Sequence, residues 1–349
     1  MKLKFILIII FTSQLLFSQK NKLNISIDER IETLYSIAYF NNYFLVSNHD
    51  NIYKKTLDKK LSSLKNHRAV SLFDSISKNY NFSYYRPVEW ILQYSDFPEF
   101  EKTKQKFDKD DETITKGKEH LLDEFTKELI NFNQDSLYQK YVTITKPINE
   151  KIIQNILESK SIQFLPDYLE EFYGTRLSSY NLIISPLLHS GGFNSEIINQ
   201  KGEKEVYAII GPNGEIDFYP YFDQDYLEMD MILHEFGHSF LNPLTDKYKI
   251  DIEKLKSKYY NDKLEKNGRE QGYSNWKDLF NEILLRSIVI NITRNKFGDK
   301  KADQLLNYEK SIGFDLVKGF SKELNYYQNN RNRYKTFESF YPYFLKQLK

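Results

Sequence analysis

The sequence has no cysteine among its 349 residues and only six histidines. The absence of cysteine excludes disulfide bonds and thiolate metal sites, so histidine and the carboxylates remain as metal ligands. The net charge is only +1, and no basic cluster or acidic tail favours a nucleic-acid partner. The chain is long enough to bury one large core or two smaller ones.

Long apolar runs are also scarce, and the clearest one lies at the start. Residues 1–19 have the pattern of a secretory signal peptide, in which two lysines precede an apolar run that ends at Phe17. Ser18 is a small residue at the expected cleavage site, next to Gln19. The run is too short to span a bilayer, and no later segment has a transmembrane pattern. We therefore expect an exported chain, periplasmic or secreted, without a membrane span.

One short motif predicts metal chemistry. His234-Glu-Phe-Gly-His238 places two imidazoles four residues apart, on the same face of a helix, where both can bind one ion. Glu235 is next to the first imidazole, so its carboxylate can take a proton from a water molecule at the metal. The motif predicts a helical zinc site with Glu235 as the general base.

The residues around the motif predict the limits of its helix. Asp225 is a suitable N-cap, and Glu228 follows three residues later as in a capping box. Asn242 and Pro243 are expected to end the helix, because a residue before proline avoids the α conformation. Gly237 lies inside the helix, which predicts that another backbone packs closely against that turn.

A catalytic zinc ion usually has three protein ligands, so one more is needed. No histidine follows the motif, and the carboxylates downstream are the alternative. Glu253, Glu265 and Glu270 lie in charged, lysine-containing stretches and are expected to be solvated. Glu282 lies on a helix that is apolar nearly all round, where a carboxylate is costly unless it is paired or binds a cation. Arg286, four residues on, is placed to orient it or to form a simple salt bridge with it.

The motif and the downstream pair Asn281-Glu282 resemble the gluzincin class of zinc metallopeptidases. The resemblance implies one catalytic Zn²⁺ bound by His234, His238 and Glu282, with Glu235 as the catalytic glutamate. It also implies a peptide or protein substrate. The zinc would lower the pKa of its bound water, and Glu235 would pass the proton to the leaving amine.

Most of the mature chain also resembles an uncharacterised family of exported bacterial metallopeptidases. Four further segments carry this likeness: Ile31-Glu-Thr-Leu34, His67-Arg-Ala-Val70, Ser190-Gly-Gly-Phe193 and Tyr334-Lys-Thr-Phe337. Related enzymes use a tyrosine or histidine to stabilise the oxyanion, and Tyr334 is a candidate because of its context. Two other functions stay open, a non-catalytic zinc-binding or structural protein and a zinc hydrolase of a non-peptide amide or ester.

The predicted fold is α+β and mostly helical. Residues 20–175 are expected to form a helical N-terminal region, and 176–349 a zincin-like catalytic region with a small sheet and two zinc-site helices. Proline is expected to begin a helix at Pro147, and Gly298 to end one that starts at Trp276. Strands are predicted at Tyr180–Ser185, Val206–Ile210 and Glu215–Tyr219, with a hairpin turn at Gly211–Gly214 between the last two.

Overall fold

The chain is α+β and mostly helical, as predicted. The computed structural model describes residues 23–46, 50–103, 106–107, 117–199 and 201–349. The predicted signal peptide, residues 1–19, lies outside the described residues. Within the described ranges, no helix is long and apolar enough to cross a membrane.

The main sheet has five strands: β1 (Leu23–Ser26), β2 (Lys106–Phe107), β3 (Ser179–Ile184), β4 (Gly192–Ile198) and β5 (Lys204–Ile210). Their order is β1-β3-β5-β4-β2, with β1, β3 and β5 parallel and with β4 antiparallel to both of its neighbours. The sheet therefore takes strands from both sides of residue 175, where the sequence predicts the boundary between the two regions. That division of the chain stays a prediction.

Helices precede and follow this sheet along the chain. Those before the third strand are α1 (Glu29–Phe40), α2 (Ile52–Lys60), α3 (Arg68–Asn79), α4 (Arg86–Ile91), α5 (Glu119–Gln134), α6 (Ser136–Leu157) and α7 (Leu165–Tyr173). Those after the sheet are α8 (Ile232–Lys247), α9 (Lys249–Glu253), α10 (Lys256–Tyr259), α11 (Asp262–Glu270), α12 (Trp276–Phe297), α13 (Asp299–Ser311), α14 (Leu316–Asn329) and α15 (Phe337–Leu348). The predicted end of α12 at Gly298 is confirmed, since that glycine is the C-cap with φ 93°.

The predicted hairpin after β5 is wrong. The backbone at Gly211 lies against the loop that precedes β4. A Cβ at this position would be 1.9 Å from the carbonyl oxygen of His189. Beyond β5 the chain forms a separate two-stranded sheet from β6 (Gly214–Ile216) and β7 (Tyr219–Tyr221). The true antiparallel neighbour of β5 is β4, which alternates buried and half-buried residues and was not predicted as a strand.

Two prolines lie inside helices that they were expected to begin or end. Pro147 is in the middle of α6, and Pro243 is in the last third of α8. A proline in a helix costs about 3 kcal/mol. Buried side chains lie on both sides of each proline, for example Tyr141 and Ile152 in α6. Packing of these faces against the core outweighs the local preference, so both predictions of a helix boundary are wrong.

Glu32 is a buried acid that joins α1 to the end of β3. Its carboxylate accepts a hydrogen bond from the Ser185 hydroxyl, and the residue is only 7% exposed. Burial raises the pKa of Glu32 to about 8, although the bond from Ser185 opposes the rise. In the unfolded chain the same group titrates near pH 4.5. Between these two values the folded protein holds a proton that the unfolded chain has lost, so the free energy of unfolding falls as the pH rises.

We therefore expect Glu32→Gln to stabilise the protein at pH 8 relative to wild type, by a few kcal/mol. The amide cannot ionise and still accepts the bond from Ser185. At pH 5 the two proteins should have nearly equal free energies of unfolding, because Glu32 is then protonated in the folded state. Urea unfolding of both proteins at several pH values measures the difference between their free energies of unfolding. The titrations of all other groups cancel in this difference. A difference that is the same at pH 5 and pH 8 would contradict a buried, neutral Glu32.

Candidate metal centre

Three side chains from two helices meet at one point. His234 and His238 of α8 and Glu282 of α12 present one ligand atom each, and these atoms all lie within 4.8 Å of one another. The Nε2 atoms of the two histidines are 3.3 and 3.9 Å from the two carboxylate oxygens of Glu282. Ligands of a tetrahedral zinc ion lie roughly 3.4 Å apart, given metal–ligand distances of about 2.1 Å. The three groups thus match a zinc site in type and spacing.

The alternative carboxylates lie elsewhere. Glu253, Glu265 and Glu270 each form an ion pair with a nearby lysine or arginine on their own segment. Glu253 and Glu270 are exposed and Glu265 is half-buried. Glu282, in contrast, is 1% exposed. Burial therefore distinguishes the one downstream carboxylate that reaches the histidines.

The helix that carries the motif begins differently from the prediction. A π-helical turn at Tyr226–Met231 leads into α8, and the side chain of Asp225 makes no cap. Asp223 instead accepts a hydrogen bond from the Tyr226 amide. Glu228 points away from the helix start and accepts hydrogen bonds from Ser159, Ser161 and Gln224. The predicted capping box is therefore wrong, because a buried polar contact with another segment uses the Glu228 carboxylate.

Gly237 allows α8 and α12 to approach each other. A Cβ at this position would lie 2.6 Å from Cδ1 of Leu285 in α12. The close neighbour of Gly237 is thus a side chain, and the prediction of a close backbone contact is wrong. The approach lets Glu282, on the same helix as Leu285, reach the two imidazoles.

We expect Gly237→Ala to destabilise the protein by about 1–3 kcal/mol, because the added methyl group overpacks the contact with Leu285. The variant should also bind zinc more weakly, since the two helices must move apart. Gly319→Ala is the matched control: this glycine lies in α14, where an added Cβ would meet no atom of the described residues within 4 Å. Better helix propensity should stabilise that variant by about 1 kcal/mol. Chemical denaturation and zinc titration of both variants test the contact, and equal effects of the two substitutions would contradict it.

Arg286 holds the Glu282 carboxylate in place. Its Nε donates to Oε1 of Glu282 at 2.6 Å, and its Nη1 donates to both carboxylate oxygens of Glu309 at 2.9 and 3.0 Å. Glu309 of α13 is itself buried. One guanidinium thus connects a candidate metal ligand to a second buried acid, so that each of the two buried carboxyl groups has a charged hydrogen-bond donor.

His238 is oriented by a chain of amides. Its Nδ1 lies 3.1 Å from Oδ1 of Asn242, which also accepts a hydrogen bond from Nδ2 of Asn281 at 2.8 Å. Because Asn242 Oδ1 can only accept, the proton of the neutral imidazole belongs on Nδ1. Nε2 then presents its lone pair toward Glu282. The Asn281 amide oxygen in turn accepts from Thr245. This arrangement fixes the ring and the tautomer that a metal ion requires.

The protonation states also suit a cation. Burial lowers the pKa of His234 to about 3, so the imidazole is neutral at pH 7. Burial would raise the pKa of Glu282, but at the low pH where His234 is protonated the charges of His234 and Arg286 outweigh burial, and the pKa falls to about 2. Since Arg286 keeps its charge at every accessible pH, Glu282 stays ionised beside a neutral His234. Burial, followed by the charges of Glu282 and Asp230, raises the pKa of Glu235 well above its usual value.

The cluster lies in a cleft formed by two adjoining cavities of about 450 and 470 Å³. Glu235 lines the first cavity together with Gly192, where a Cβ would lie 3.3 Å from Oε1 of Glu235 and 2.7 Å from a backbone oxygen. Tyr84 and Tyr273 line both cavities. Burial and the carboxylates of Glu235 and Glu282 raise the pKa of Tyr84, as expected for a hydroxyl near the cluster.

The segment before α4 and the start of α4 contribute residues to this cleft that the sequence did not predict. Tyr84 and Arg86 are about 150 residues before the motif along the chain. No local pattern relates them to it. The candidate Tyr334 lies elsewhere: it is 7% exposed, packs against Phe340 and Tyr343, and lines neither cavity. Its proposed contact with an oxyanion is therefore not supported.

A family model described as a domain of unknown function (DUF4932) matches residues 6–347. No curated protein and no solved structure matches the chain.

Proposed function

The chain belongs to the family of unknown function DUF4932, and we propose that it is a zinc-dependent peptidase. The observation that carries the proposal is the convergence of His234, His238 and Glu282 in a cleft that Glu235 also lines. Three ligands and access from solvent leave room for water and substrate, as in catalytic zinc sites. Zinc is preferred to magnesium or calcium because two of the three ligands are imidazoles.

Glu235 supports catalysis over simple metal storage. It is not one of the three clustered ligands, yet it lies in the same cleft with its carboxylate beside Gly192. A bound zinc ion would supply a Lewis acid that acidifies water and polarises a carbonyl group. Glu235 accepts the proton of the attacking water and returns it to the leaving amine nitrogen. A cation bound by the cluster would oppose the rise in the pKa of Glu235 and so favour the ionised form that accepts this proton.

The cleft also suits a peptide. β2 pairs only with Ile197 and Ile198 at the end of β4. Among the described residues, no strand pairs with the outer side of β4 from Gly192 to Glu196, and this stretch contributes to the lining of the cleft. An extended peptide can add to such an edge through main-chain hydrogen bonds. A small ester or amide would use little of this surface, so a peptide substrate is favoured.

The direct test uses protein stripped of metal by a chelator and then reloaded. We expect zinc to bind in a one-to-one ratio and to restore cleavage of unfolded casein, detected by mass spectrometry of the products. Magnesium should restore nothing. Bound zinc without cleavage of casein would contradict the proposal and favour a non-catalytic zinc protein. Zinc-dependent hydrolysis of p-nitrophenyl acetate, again without peptide cleavage, would favour the ester or amide hydrolase.

We also propose that the chain is exported, on the basis of the signal-like pattern of residues 1–19. Expression in a Gram-negative bacterium followed by cell fractionation tests this. The processed chain should leave the cytoplasm and begin near Gln19. An unprocessed chain that stays in the cytoplasm would contradict export without affecting the peptidase proposal.

A further inference from the structure

Arg86 is an unusual charge in the cleft. Among the described residues that line the cavity beside β4, it is the only lysine or arginine. It is half-buried at the start of α4, a helix that carries none of the three clustered side chains. The positive end of a helix disfavours a cation, so the local structure gives no reason for an arginine there.

The charge of Arg86 also has no counterion in the part of the chain that the structure describes. Its side-chain contact is with the ring of Tyr85, 5.7 Å from the guanidinium carbon. Two acidic residues of the cavity have other cations as partners, since Glu196 pairs with Lys204 at 2.6 Å and Asp246 with Lys277 at 2.8 Å. Arg86 therefore lines the cavity without an ion pair to any of the described acidic residues around it.

The backbone around Arg86 is held firmly. Tyr84 has φ 62°, a left-handed conformation that is unfavourable for a non-glycine residue. The amide of Tyr84 donates to the hydroxyl of Tyr43 at 2.7 Å, and the amide of Arg86 donates to the Ser83 carbonyl. Pro87 then fixes the first turn of α4. Strain of this kind persists where the surrounding structure maintains it, and here it places the arginine at the cavity.

We infer that Arg86 binds a carboxylate group of the substrate and makes the protein selective for it. This inference rests on the proposed peptidase function. A planar guanidinium binds a carboxylate through two parallel hydrogen bonds, and the half-buried position strengthens them. The carboxylate can come from an Asp or Glu side chain within the peptide or from the free C-terminus. The first source describes an endopeptidase with acidic specificity, and the second a carboxypeptidase.

Four sets of ten-residue peptides separate these sources. All peptides have acetylated N-termini and contain Ala, Leu and Gln. Two of the four sets also contain a single Glu, whose position differs from peptide to peptide. Each is made with a free C-terminal carboxylate and with a C-terminal amide. We expect the zinc-loaded protein to cleave one carboxylate-containing set with a kcat/KM roughly tenfold or more above its uncharged counterpart, mainly through KM. The set that shows the preference identifies the source of the carboxylate.

Arg86→Gln should bring this ratio of kcat/KM values close to one, and Arg86→Lys should restore part of it. Arg333→Gln is the matched control. Arg333 is exposed, and its guanidinium likewise lies against a neighbouring tyrosine ring, at 5.2 Å, away from the cleft. That variant should keep both the activity and the ratio of wild type. Zinc content and thermal unfolding of each variant show whether it is folded.

The result that would overturn the inference is a selectivity ratio near one in wild type, or a ratio that Arg86→Gln leaves unchanged. A binding experiment separates this from failure of the proposed function. Fluorescence anisotropy measures peptide affinity to zinc-loaded Glu235→Gln, with and without Arg86→Gln. Tighter binding of the carboxylate peptides that is lost with Arg86→Gln supports the inference, even if wild type cleaves no peptide. Failure of wild type to cleave any peptide contradicts the peptidase proposal alone. Equal binding of all peptides contradicts the role of Arg86.

Discussion

Glu235→Gln is expected to lower kcat for peptide cleavage by roughly 10² to 10⁴ while zinc remains bound. The amide has nearly the same shape as the carboxylate but cannot accept the proton of the attacking water. Glu235 is outside the group of three ligands, so its replacement leaves His234, His238 and Glu282 intact. The expected effect therefore falls on turnover and spares the metal.

Two measurements on the same sample test this separation. Zinc content by plasma emission should be the same in Glu235→Gln and wild type, and the rate of casein cleavage should differ by the factor above. Glu228→Gln is a useful control, because Glu228 is buried on the same segment but bonds to Ser159 and Ser161, away from the cluster. It should keep near-wild-type activity once folded. Loss of zinc from Glu235→Gln would instead assign the residue a structural role.

The substitution should also change the stability of the metal-free protein. Burial and the nearby acids raise the pKa of Glu235 well above its usual value, so at neutral pH the folded metal-free protein carries a proton that the unfolded chain does not. This group therefore lowers the free energy of unfolding as the pH rises above its unfolded pKa. Glutamine, which mimics the protonated acid, removes that cost. A metal-free variant that is more stable than metal-free wild type at pH 8 is the expected sign.

The part of the site that the sequence could predict is the part with local geometry. Residues 234 and 238 share a helix face whatever the rest of the chain does, so their spacing alone indicates a common ligand. Glu282 is predicted from a different property, the high cost of burying a carboxylate on an apolar helix. Its side chain does reach both imidazoles. The spacing of the histidines and the burial cost of Glu282 thus predict the three side chains that the structure brings together. The metal itself remains a prediction.

The rest of the site depends on contacts between distant segments. Glu309 is 23 residues beyond Arg286 and is recognisable as its partner only once α13 packs beside α12. Arg86 reaches the cleft because α4 lies near β4, a strand that the sequence does not mark because three polar residues, Asn194 to Glu196, follow one another in it. The same reasoning explains the errors at Pro147 and Pro243. Local preferences of about 3 kcal/mol were overruled by the packing of whole helix faces.

Glu282→Ala is expected to weaken zinc binding by more than the roughly 10- to 100-fold that loss of a supporting hydrogen bond causes, because it removes a ligand. Glu309→Gln is the comparison. It keeps all three ligands and changes only the second acid bound by Arg286, so its loss should stay within that 10- to 100-fold range. Competition with a fluorescent chelator measures both affinities.

Thermal unfolding gives an independent measure of the same ligand. Zinc at 100 times its dissociation constant should stabilise the wild-type fold by about 2.7 kcal/mol, whereas the same concentration should stabilise Glu282→Ala little. Arg286 retains Glu309 as a partner in this variant, so the metal-free protein is expected to fold. If Glu282→Ala binds zinc as tightly as wild type and gains the same stability from it, the carboxylate is not a ligand. The two histidines would then lack the third protein group on which the proposed hydrolysis depends.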